Sequence, residues 1–270
     1  MSREVARSYL YVPGNRPDRF DKACAAGADA VIVDFEDAVA PADKLSARQA
    51  VTAWLSREKP VFVRVNGAET EWFAKDLEAC GAAGVIGVVL PKAEKIGADV
   101  IALCRKKGIV LLPLIETALG MAQAAAVAAT PCVQRLLFGT IDFQLELGID
   151  GDGDELLAFR SQLVLASRLA GIQAPVDGPC TSWTDADLLQ ADARRARKLG
   201  FGGKLCIHPN QIASVNAAFS PSEAEVAWAR KVLDATRRSG GAAVAVDGKM
   251  VDRPVILKAE RIVRDAGGNG

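Results

Sequence analysis

Two acidic residues that end apolar runs are the first candidates for chemistry in this sequence. Glu116 follows the apolar run 111–115, and Asp142 closes a second run that begins at residue 136. A short apolar run predicts a buried strand of a parallel sheet, and a polar residue at its C-terminal end faces the edge where ligands bind. Because the two runs are consecutive along the chain, we expect both carboxylates at the same edge.

The chemistry predicted for this pair is that of a divalent cation. Two neighbouring carboxylates repel each other unless a cation lies between them, whereas a single strand-end Glu would be explained as a helix cap or a loop acceptor. Hard oxygen ligands without thiolates or paired histidines favour Mg²⁺ over zinc. Arg64 ends another apolar run, and its guanidinium fork fits a substrate carboxylate. Together the three residues predict carbon–carbon bond cleavage or formation next to a 2-oxo acid.

Eight apolar runs supply the strands that position these residues. The predicted strands are 8–12, 30–35, 61–65, 85–90, 111–116, 136–142, 172–178 and 204–208. A helical pattern follows each of them, which predicts a (β/α)8 TIM barrel in residues 1–220. An open doubly wound sheet is the alternative. An open sheet of this kind would require that the seventh or eighth predicted strand does not form. It would usually also have a glycine-rich phosphate turn after the first strand, which this sequence lacks.

The last 50 residues, 221–270, depart from the strand–helix pattern. An amphipathic helix is predicted from Pro221 to Arg238, followed by the Gly240-Gly241 interruption, a short apolar stretch 242–246 and a last helix over 254–263. We interpret this segment as a C-terminal helical extension that caps the barrel or reaches a neighbouring subunit.

The composition of the chain limits the kinds of partner that it is expected to bind. Its 270 residues include 33 basic and 33 acidic ones, so no net charge points to nucleic acid or to a membrane surface as partner. Six cysteines occur singly, without zinc spacing, and are interpreted as reduced packing residues. The N-terminal segment is charged where a signal peptide needs an apolar core, and no apolar run approaches about 18 residues. These features predict a cytoplasmic protein.

Several charged residues after the first two strands have both a functional and a structural interpretation. Glu36 and Asp37 follow the second strand and either orient metal-bound waters or cap the next helix. Arg16 and Lys22 follow the first strand and either meet a phosphorylated cosubstrate or form a solvated surface.

His208, the only histidine, ends the eighth predicted strand. It is either a general base or a structural histidine that closes the strand. Asp150, Asp152 and Asp154 have the spacing of a calcium loop, but Glu155 stands where glycine is required, so a turn and a helix start are predicted instead.

Seven motifs in order carry a resemblance to a known family. They are Tyr11–Pro17, Asp34–Val39, Arg64–Asn66, Leu90–Lys92, Ile115–Thr117, Phe138–Phe143 and Ile207–Ile212. With these motifs, which are distributed over nearly the whole chain, the sequence resembles the citrate lyase β-subunit-like proteins of the HpcH/HpaI aldolase superfamily. The resemblance implies a Mg²⁺-dependent CoA-ester lyase on a (β/α)8 barrel. The expected reaction cleaves a 3-hydroxyacyl-CoA thioester, such as citryl-, citramalyl- or malyl-CoA, to acetyl-CoA and a 2-oxo acid.

The resemblance also implies roles for individual residues. Glu116 and Asp142 would be the metal ligands, with Arg64 as the carboxylate clamp. Glu36 and Asp37, from their position after the second strand, are further candidate catalytic residues. The expected substrate-binding residues, besides Arg64, are Gly139, Thr140, Ile141, Pro91, Lys92, Arg16 and Lys22.

A tail motif, Gly248–Pro254, is similar to the segment that carries a catalytic aspartate into the neighbouring subunit's site in related lyases. Asp252 would take that role, which implies a homo-oligomer, a trimer or a hexamer built of trimers. An acyl-carrier partner is left open. The alternatives are a metal-dependent aldolase that acts on free 4-hydroxy-2-oxo acids, and a non-catalytic subunit that binds a dicarboxylate.

Overall fold

Eight parallel strands close into a barrel within residues 5–216 of the computed structural model, which describes residues 5–238 and 244–267. The strands are β1 (Ser8–Pro13), β2 (Ala30–Asp34), β3 (Val61–Arg64), β4 (Val85–Leu90), β5 (Val110–Ile115), β6 (Leu137–Phe138), β7 (Val176–Asp177) and β8 (Gly203–Cys206). Each strand pairs with its neighbours in chain order, and β1 pairs with β8 to close the ring. The predicted (β/α)8 barrel is therefore confirmed, and the open doubly wound sheet is excluded.

Apolar side chains fill the interior of the barrel. The buried members of this cluster are Tyr9, Ala30, Ile32, Phe62, Val89, Leu112, Leu114, Leu137, Val176 and Leu205. Gly87 interrupts the otherwise apolar β4 because the Phe62 ring occupies the space beside it. A Cβ added at Gly87 would lie 2.7 Å from that ring. The glycine is thus a packing requirement of the β3–β4 pair.

Helices follow the strands in the order expected of the fold. They are α1 (Pro17–Cys24), α2 (Lys44–Trp54), α3 (Phe73–Ala79), α4 (Ala98–Lys107), α5 (Ala118–Ala122), α6 (Ala124–Ala128), α7 (Thr140–Leu147), α8 (Leu157–Leu169), α9 (Ala186–Leu199) and α10 (Ile212–Phe219). A single turn of 3-10 helix precedes α2, α8 and α10. No helix in the described ranges has the length and apolarity that crossing a bilayer requires.

Strands β6 and β7 are much shorter than the apolar runs that predict them. Each has two residues, against seven predicted in each case, 136–142 and 172–178. Pro175 has no N–H to donate immediately before β7, and the chain turns into α7 directly after Gly139. The prediction that Asp142 ends a strand is therefore wrong: this residue lies in the first turn of α7.

Residues 217–238 and 244–267 form a second compact unit with a core of its own. After α10 it contains α11 (Glu223–Arg238), β9 (Val244–Val246), β10 (Lys249–Val251) and α12 (Arg253–Gly267). Asp247 and Gly248 have φ of 51° and 73°, as the two-residue turn of an antiparallel hairpin requires. The buried residues of this unit are Ala229, Val232, Val246, Val251, Ala259 and Ile262. The predicted Gly240-Gly241 interruption and the start of the apolar stretch at Ala242 lie outside the described residues.

Candidate active site

The C-terminal ends of the barrel strands bring several of the predicted residues to one mouth. Asp34 and Arg64 are the last residues of β2 and β3, and Glu116 directly follows β5. All three are buried, with exposed fractions of 1%, 9% and 2%. Charged groups are rarely buried this far without partners, so the contacts of these three side chains determine which groups remain free to bind a ligand.

Glu116 is held by the turn that follows β4. The backbone N–H of Lys92 donates a hydrogen bond of 2.7 Å to Glu116 Oε1. Lys92 has a φ of 46°, in the left-handed region that a non-glycine residue rarely adopts. This strained turn aims the Lys92 N–H at the carboxylate. Pro91 and Lys92, predicted as substrate-binding residues, therefore also fix the orientation of Glu116.

Gly139 gives Glu116 its space from the neighbouring strand. A Cβ at Gly139 would lie 2.5 Å from Glu116 Oε2 and 2.6 Å from its Cβ, which is closer than real contacts allow. Burial, followed by the negative charge of Glu36, raises the pKa of Glu116 to about 8. The Lys92 N–H and the Arg64 charge oppose this rise, and the charge of Asp142 makes a smaller contribution to it. The protein thus holds a buried carboxyl group whose ionised form is only partly stabilised by its neighbours.

Asp142 reaches the same group of charges from helix α7. It lies in the first turn of the helix, where the backbone N–H groups favour a negative charge. Its side chain is half-buried, and no residue of the described ranges donates a hydrogen bond to its carboxylate. The carboxylate oxygens of Asp142 are therefore available for a ligand.

Glu116 and Asp142 fit a hard divalent cation. Their mutual repulsion and the raised pKa of Glu116 are what a cation bound between them would relieve. Residues 5–238 and 244–267 contain no group of three or more His, Cys, Asp or Glu side chains arranged to hold a metal ion. Two protein carboxylates, with the remaining positions left to water and substrate, match the habit of Mg²⁺ rather than that of zinc.

Arg64 is engaged by a residue to which the sequence interpretation assigned no role. Arg64 Nε donates to Asp34 Oδ1 at 2.7 Å and Nη2 donates to Asp34 Oδ2 at 2.6 Å, a two-pronged ion pair. Its remaining nitrogen, Nη1, lies 3.1 Å from Glu36 Oε2 and 3.3 Å from Asp37 Oδ2. The sequence did contain the signal for Asp34, because this residue ends an apolar strand just as Glu116 does.

Asp34 also shapes the loop that carries Glu36. Its Oδ1 accepts the backbone N–H of Glu36 at 2.9 Å and its Oδ2 accepts that of Ala38 at 3.1 Å. From the other side, the buried Lys44 Nζ donates to the carbonyl oxygens of Phe35 and Glu36, both at 2.7 Å. Two oppositely charged side chains thus fix the backbone of this loop.

Glu36 and Asp37 do not cap the following helix. Asp43 is the residue before α2, and neither Glu36 nor Asp37 reaches that helix terminus. Glu36 is 7% exposed, and its Oε1 lies 3.6 Å from Lys92 Nζ. Burial raises the pKa of Glu36 to about 7, and the neighbouring Arg64 charge limits the rise. A carboxyl group of this pKa is suited to accept or to donate a proton near neutral pH.

The comparisons with known proteins identify the family of the chain. The family model described as HpcH/HpaI aldolase/citrate lyase matches residues 7–209. The chain belongs to this family. A citrate lyase subunit beta-like protein of Mycobacterium tuberculosis is 39% identical over 272 residues, covering 98% of this chain and 97% of that protein. The predicted resemblance is therefore confirmed.

Two further HpcH/HpaI relatives are informative. A (3S)-malyl-CoA thioesterase of Cereibacter sphaeroides is 37% identical over 271 residues, covering 96% of this chain and 94% of its own. The solved structure of CitE from Mycobacterium tuberculosis in complex with magnesium, acetoacetate and coenzyme A is 39% identical. The two structures superpose with a TM-score of 0.86, over 97% of this chain and 98% of that one.

Other residues expected from the HpcH/HpaI resemblance lie at the start of α7. Gly139 precedes the helix, Thr140 is buried as its first residue, and Ile141 is 46% exposed. Gly178, which directly follows β7, packs against this turn, because a Cβ there would lie 2.1 Å from Thr140 Oγ1. Substrate binding by Gly139, Thr140 and Ile141 stays a prediction.

Arg16 and Lys22 lie on the surface around α1. Arg16 pairs with the exposed Asp18 at 2.9 Å, and Lys22 is exposed in the last turn of the helix. The structure does not join either residue to the buried carboxylates by a described contact. Binding of a phosphorylated cosubstrate by these two residues stays a prediction.

Asp252 belongs to the second compact unit. It is exposed, and its Oδ1 accepts the backbone N–H of Val255 at 3.2 Å at the start of α12. This contact is that of a helix N-cap. The catalytic role that the family resemblance implies for Asp252 stays a prediction.

His208 and Asp152 have structural partners. His208 Nδ1 accepts the backbone N–H of Asn210 at 3.2 Å, and its ring stacks on Trp183 at 5.9 Å between centroids. Asp152 accepts from Arg160 Nη2 at 2.6 Å and lies 3.1 Å from Arg195 Nη2. The predicted turn and helix start are confirmed, because a 3-10 turn begins at Asp154 and leads into α8.

Proposed function

We propose that this chain is a Mg²⁺-dependent carbon–carbon lyase. Its substrate would be a 3-hydroxyacyl-CoA of the citryl-, citramalyl- or malyl-CoA type, and its products acetyl-CoA and a 2-oxo acid. The observation that carries the proposal is the Glu116–Asp142 carboxylate pair at the barrel mouth, beside Arg64 and Glu36. Membership of a family described as aldolase/citrate lyase supports the same reaction class.

The two carboxylates would hold the ion, and bound Mg²⁺ supplies Lewis-acid stabilisation to the oxygens of the 2-oxo acid. The chain's own residues manage the charge and the protons around it. Arg64, locked by Asp34, presents a fixed positive charge to the substrate carboxylate rather than a free fork.

The proposed bond changes balance as follows. Glu36 takes the proton from the hydroxyl group on C3 of the thioester, and the C2–C3 bond breaks as the C3 oxygen becomes a carbonyl. The electron pair of that bond remains on C2 as the enolate of acetyl-CoA. An acid then returns a proton to C2. The pKa of about 7 suits Glu36 to the first step, and we assign the second to Asp252 of a neighbouring subunit.

A thioesterase is the second candidate, because the malyl-CoA thioesterase of Cereibacter sphaeroides is 37% identical over 96% of this chain. Hydrolysis leaves the C2–C3 bond intact and releases free CoA with a hydroxy acid. Product analysis therefore separates the two reactions without further assumption.

The decisive assay offers the purified protein citryl-, citramalyl-, malyl- and β-methylmalyl-CoA, each with Mg²⁺ and with chelator. We expect at least one thioester to give a 2-oxo acid and the shorter acyl-CoA in equal amounts, and chelator to abolish both. Absence of any chelator-sensitive cleavage would contradict the proposal. Free CoA without a 2-oxo acid would establish the thioesterase instead.

Thermal protection separates CoA esters from free 4-hydroxy-2-oxo acids. A ligand that binds the native state raises the unfolding temperature by mass action. We expect CoA thioesters with Mg²⁺ to protect the protein more than free hydroxy-oxo acids do. The reverse order would favour the aldolase alternative. The homotrimer, the acyl-carrier partner and the cytoplasmic location stay predictions.

A further inference from the structure

Tyr11 places an unused hydrogen-bond donor at the mouth of the barrel. It lies on β1, two residues after Tyr9 and on the same face, and it packs against the interior cluster. The Tyr11 ring lies over the Arg64 guanidinium, with 4.9 Å from Cζ to the ring centroid. This contact puts Tyr11 beside the charged residues that end β2 and β3.

The hydroxyl group of Tyr11 is buried and has no hydrogen-bond partner in the described ranges. Tyr9 is the natural comparison, because its hydroxyl accepts a hydrogen bond of 3.2 Å from Arg135 Nη1. Buried hydroxyl groups in native proteins nearly always have partners, and an unpartnered one costs stability. An orphaned donor of this kind is typical of a ligand-binding site.

The charged groups of the barrel mouth act on the Tyr11 hydroxyl. Burial raises the pKa of Tyr11, the Arg64 charge opposes that rise, and the charges of Asp34, Glu116 and Glu36 add to it. The phenol is therefore a donor at neutral pH rather than a base. Asp34 is already bound by Arg64 and by two backbone N–H groups. The other two carboxylates, Glu116 and Glu36, belong to the site that we propose for the substrate.

We infer that Tyr11 is a substrate-contacting residue whose O–H donates a hydrogen bond to an anionic oxygen of the 2-oxo acid. This inference rests on the proposed function. It also supplies a donor that Arg64 lacks: two of its three nitrogens are held by Asp34, and the third, Nη1, lies 3.1 Å from Glu36 Oε2 and 3.3 Å from Asp37 Oδ2, so the substrate carboxylate needs a further donor. The Tyr11 hydroxyl beside Arg64 supplies it.

The test compares Tyr11→Phe with Tyr9→Phe in the full-length chain with Mg²⁺ present. The probes are pyruvate, glyoxylate and oxaloacetate, and their affinities are measured by calorimetry. A hydrogen bond to a charged oxygen predicts that Tyr11→Phe weakens binding of the 2-oxo acid at least about tenfold. Tyr9→Phe is expected to leave that affinity unchanged. Affinity for Mg²⁺ alone is expected to be the same in both variants and in the wild type.

Two readouts separate substrate contact from a structural role. Tyr11→Phe is expected to keep or raise the unfolding temperature, since it removes an unpartnered donor. The chain has only two tyrosines, so a sample labelled with ¹³C at the ring carbon that bears the hydroxyl gives two NMR signals. The two Phe variants assign these signals. Adding pyruvate with Mg²⁺ is expected to shift the Tyr11 signal and to leave the Tyr9 signal in place.

The failures are distinguishable. The inference alone would be overturned if the wild type and Tyr11→Phe bound a 2-oxo acid with equal affinity. It would also be overturned if the wild type bound a 2-oxo acid without a shift of the Tyr11 signal. A Tyr11→Phe variant that loses Mg²⁺ affinity would overturn it in favour of a role at the metal. Absence of binding of all three 2-oxo acids to the wild type would overturn both the inference and the proposed function.

Discussion

At the scale of single residues, the site combines burial with negative charge that the protein neutralises only in part. Glu116 is 2% exposed, and its nearest donor is a backbone N–H rather than a cation. Arg64 is paired with Asp34. The ammonium group of Lys92 lies 3.6 Å from Glu36 and forms no salt bridge with Glu116 among the described residues. The free energy that such an ionised group costs the fold is recovered when a cation binds or when the carboxylate takes up a proton.

Replacing Glu116 tests this cost. The pKa of Glu116 is about 8 in the folded chain against an ordinary value of 4.5, so ionisation favours the unfolded state as pH rises between these values. Without metal at pH 8, Glu116→Gln is expected to raise the free energy of unfolding by on the order of 2 kcal/mol. The gain is expected to shrink as the pH falls toward 5. Urea denaturation over this pH range measures it.

Glu58→Gln, at an exposed carboxylate on the surface, is the matched control and is expected to change stability little at any pH. Added Mg²⁺ is expected to stabilise the wild type and the control but not Glu116→Gln. A Glu116→Gln variant less stable than the wild type at pH 8 without metal would show that the Glu116 carboxylate is already compensated within the protein.

At the scale of elements, the short strand β6 and the start of α7 decide where Asp142 points. The chain leaves β6 at Phe138, and Gly139 and Gly178 are the two positions where a side chain would push into this turn. Strand β5, helix α7 and the turn after β7 therefore pack together without space for an added methyl group. The position of Asp142 depends on that packing rather than on hydrogen bonds to its own carboxylate.

Gly178→Ala tests whether this packing controls the site. The added Cβ would lie 2.1 Å from Thr140 Oγ1 and 2.9 Å from Thr140 Cβ, so the first turn of α7 must move and carry Asp142 with it. We expect the affinity for Mg²⁺, measured by calorimetry, to fall about tenfold, the effect expected when a supporting contact of a metal ligand is lost. The double variant Gly178→Ala/Thr140→Ala is expected to recover part of the lost affinity for Mg²⁺.

Gly153→Ala is the control, because its nearest neighbour is the flexible side chain of Glu155 at 3.3 Å. It is expected to bind Mg²⁺ as the wild type does. Unchanged affinity in Gly178→Ala would mean that α7 absorbs the added methyl group without moving Asp142.

The same elements show what a sequence can and cannot predict. Buried parallel strands read as apolar runs, so β4 was predicted at its observed bounds, 85–90, and most other strands to within one or two residues. The runs around β6 and β7 are equally apolar but are used in turns and in α7, because Pro175 and Gly139 end the pairing. Apolarity predicts burial, and it does not by itself predict hydrogen-bonded pairing.

At the scale of the whole molecule, the chain consists of a barrel unit, 5–216, and a C-terminal unit whose residues 217–238 and 244–267 are described. The fold class followed from periodicity alone, since eight alternating strands and helices have few other solutions. The pairing of Arg64 with Asp34 does not follow from periodicity, because it depends on the register of β2 against β3. The role predicted for Asp252 depends on assembly, which a single chain does not contain.

Complementation between two inactive chains tests the predicted role of Asp252. If a site combines Asp142 of one subunit with Asp252 of a neighbour, co-expressing Asp252→Ala with Asp142→Asn restores activity. Random mixing of equal amounts predicts about one quarter of the wild-type sites, because each residue is intact half of the time. Turnover of a confirmed thioester substrate measures this fraction. Wild-type turnover by Asp252→Ala alone would show that Asp252 is not catalytic.

The central claim is that Glu116 and Asp142 together form one divalent-cation site, and a Mg²⁺ binding isotherm tests it most directly. Calorimetric titration of the wild type, Asp142→Asn and the exposed-surface control Glu58→Gln decides it. We expect one Mg²⁺ per chain in the wild type and in the control, and a loss of affinity of at least about a hundredfold in Asp142→Asn. Equal Mg²⁺ affinity in Asp142→Asn and in the wild type would contradict the claim.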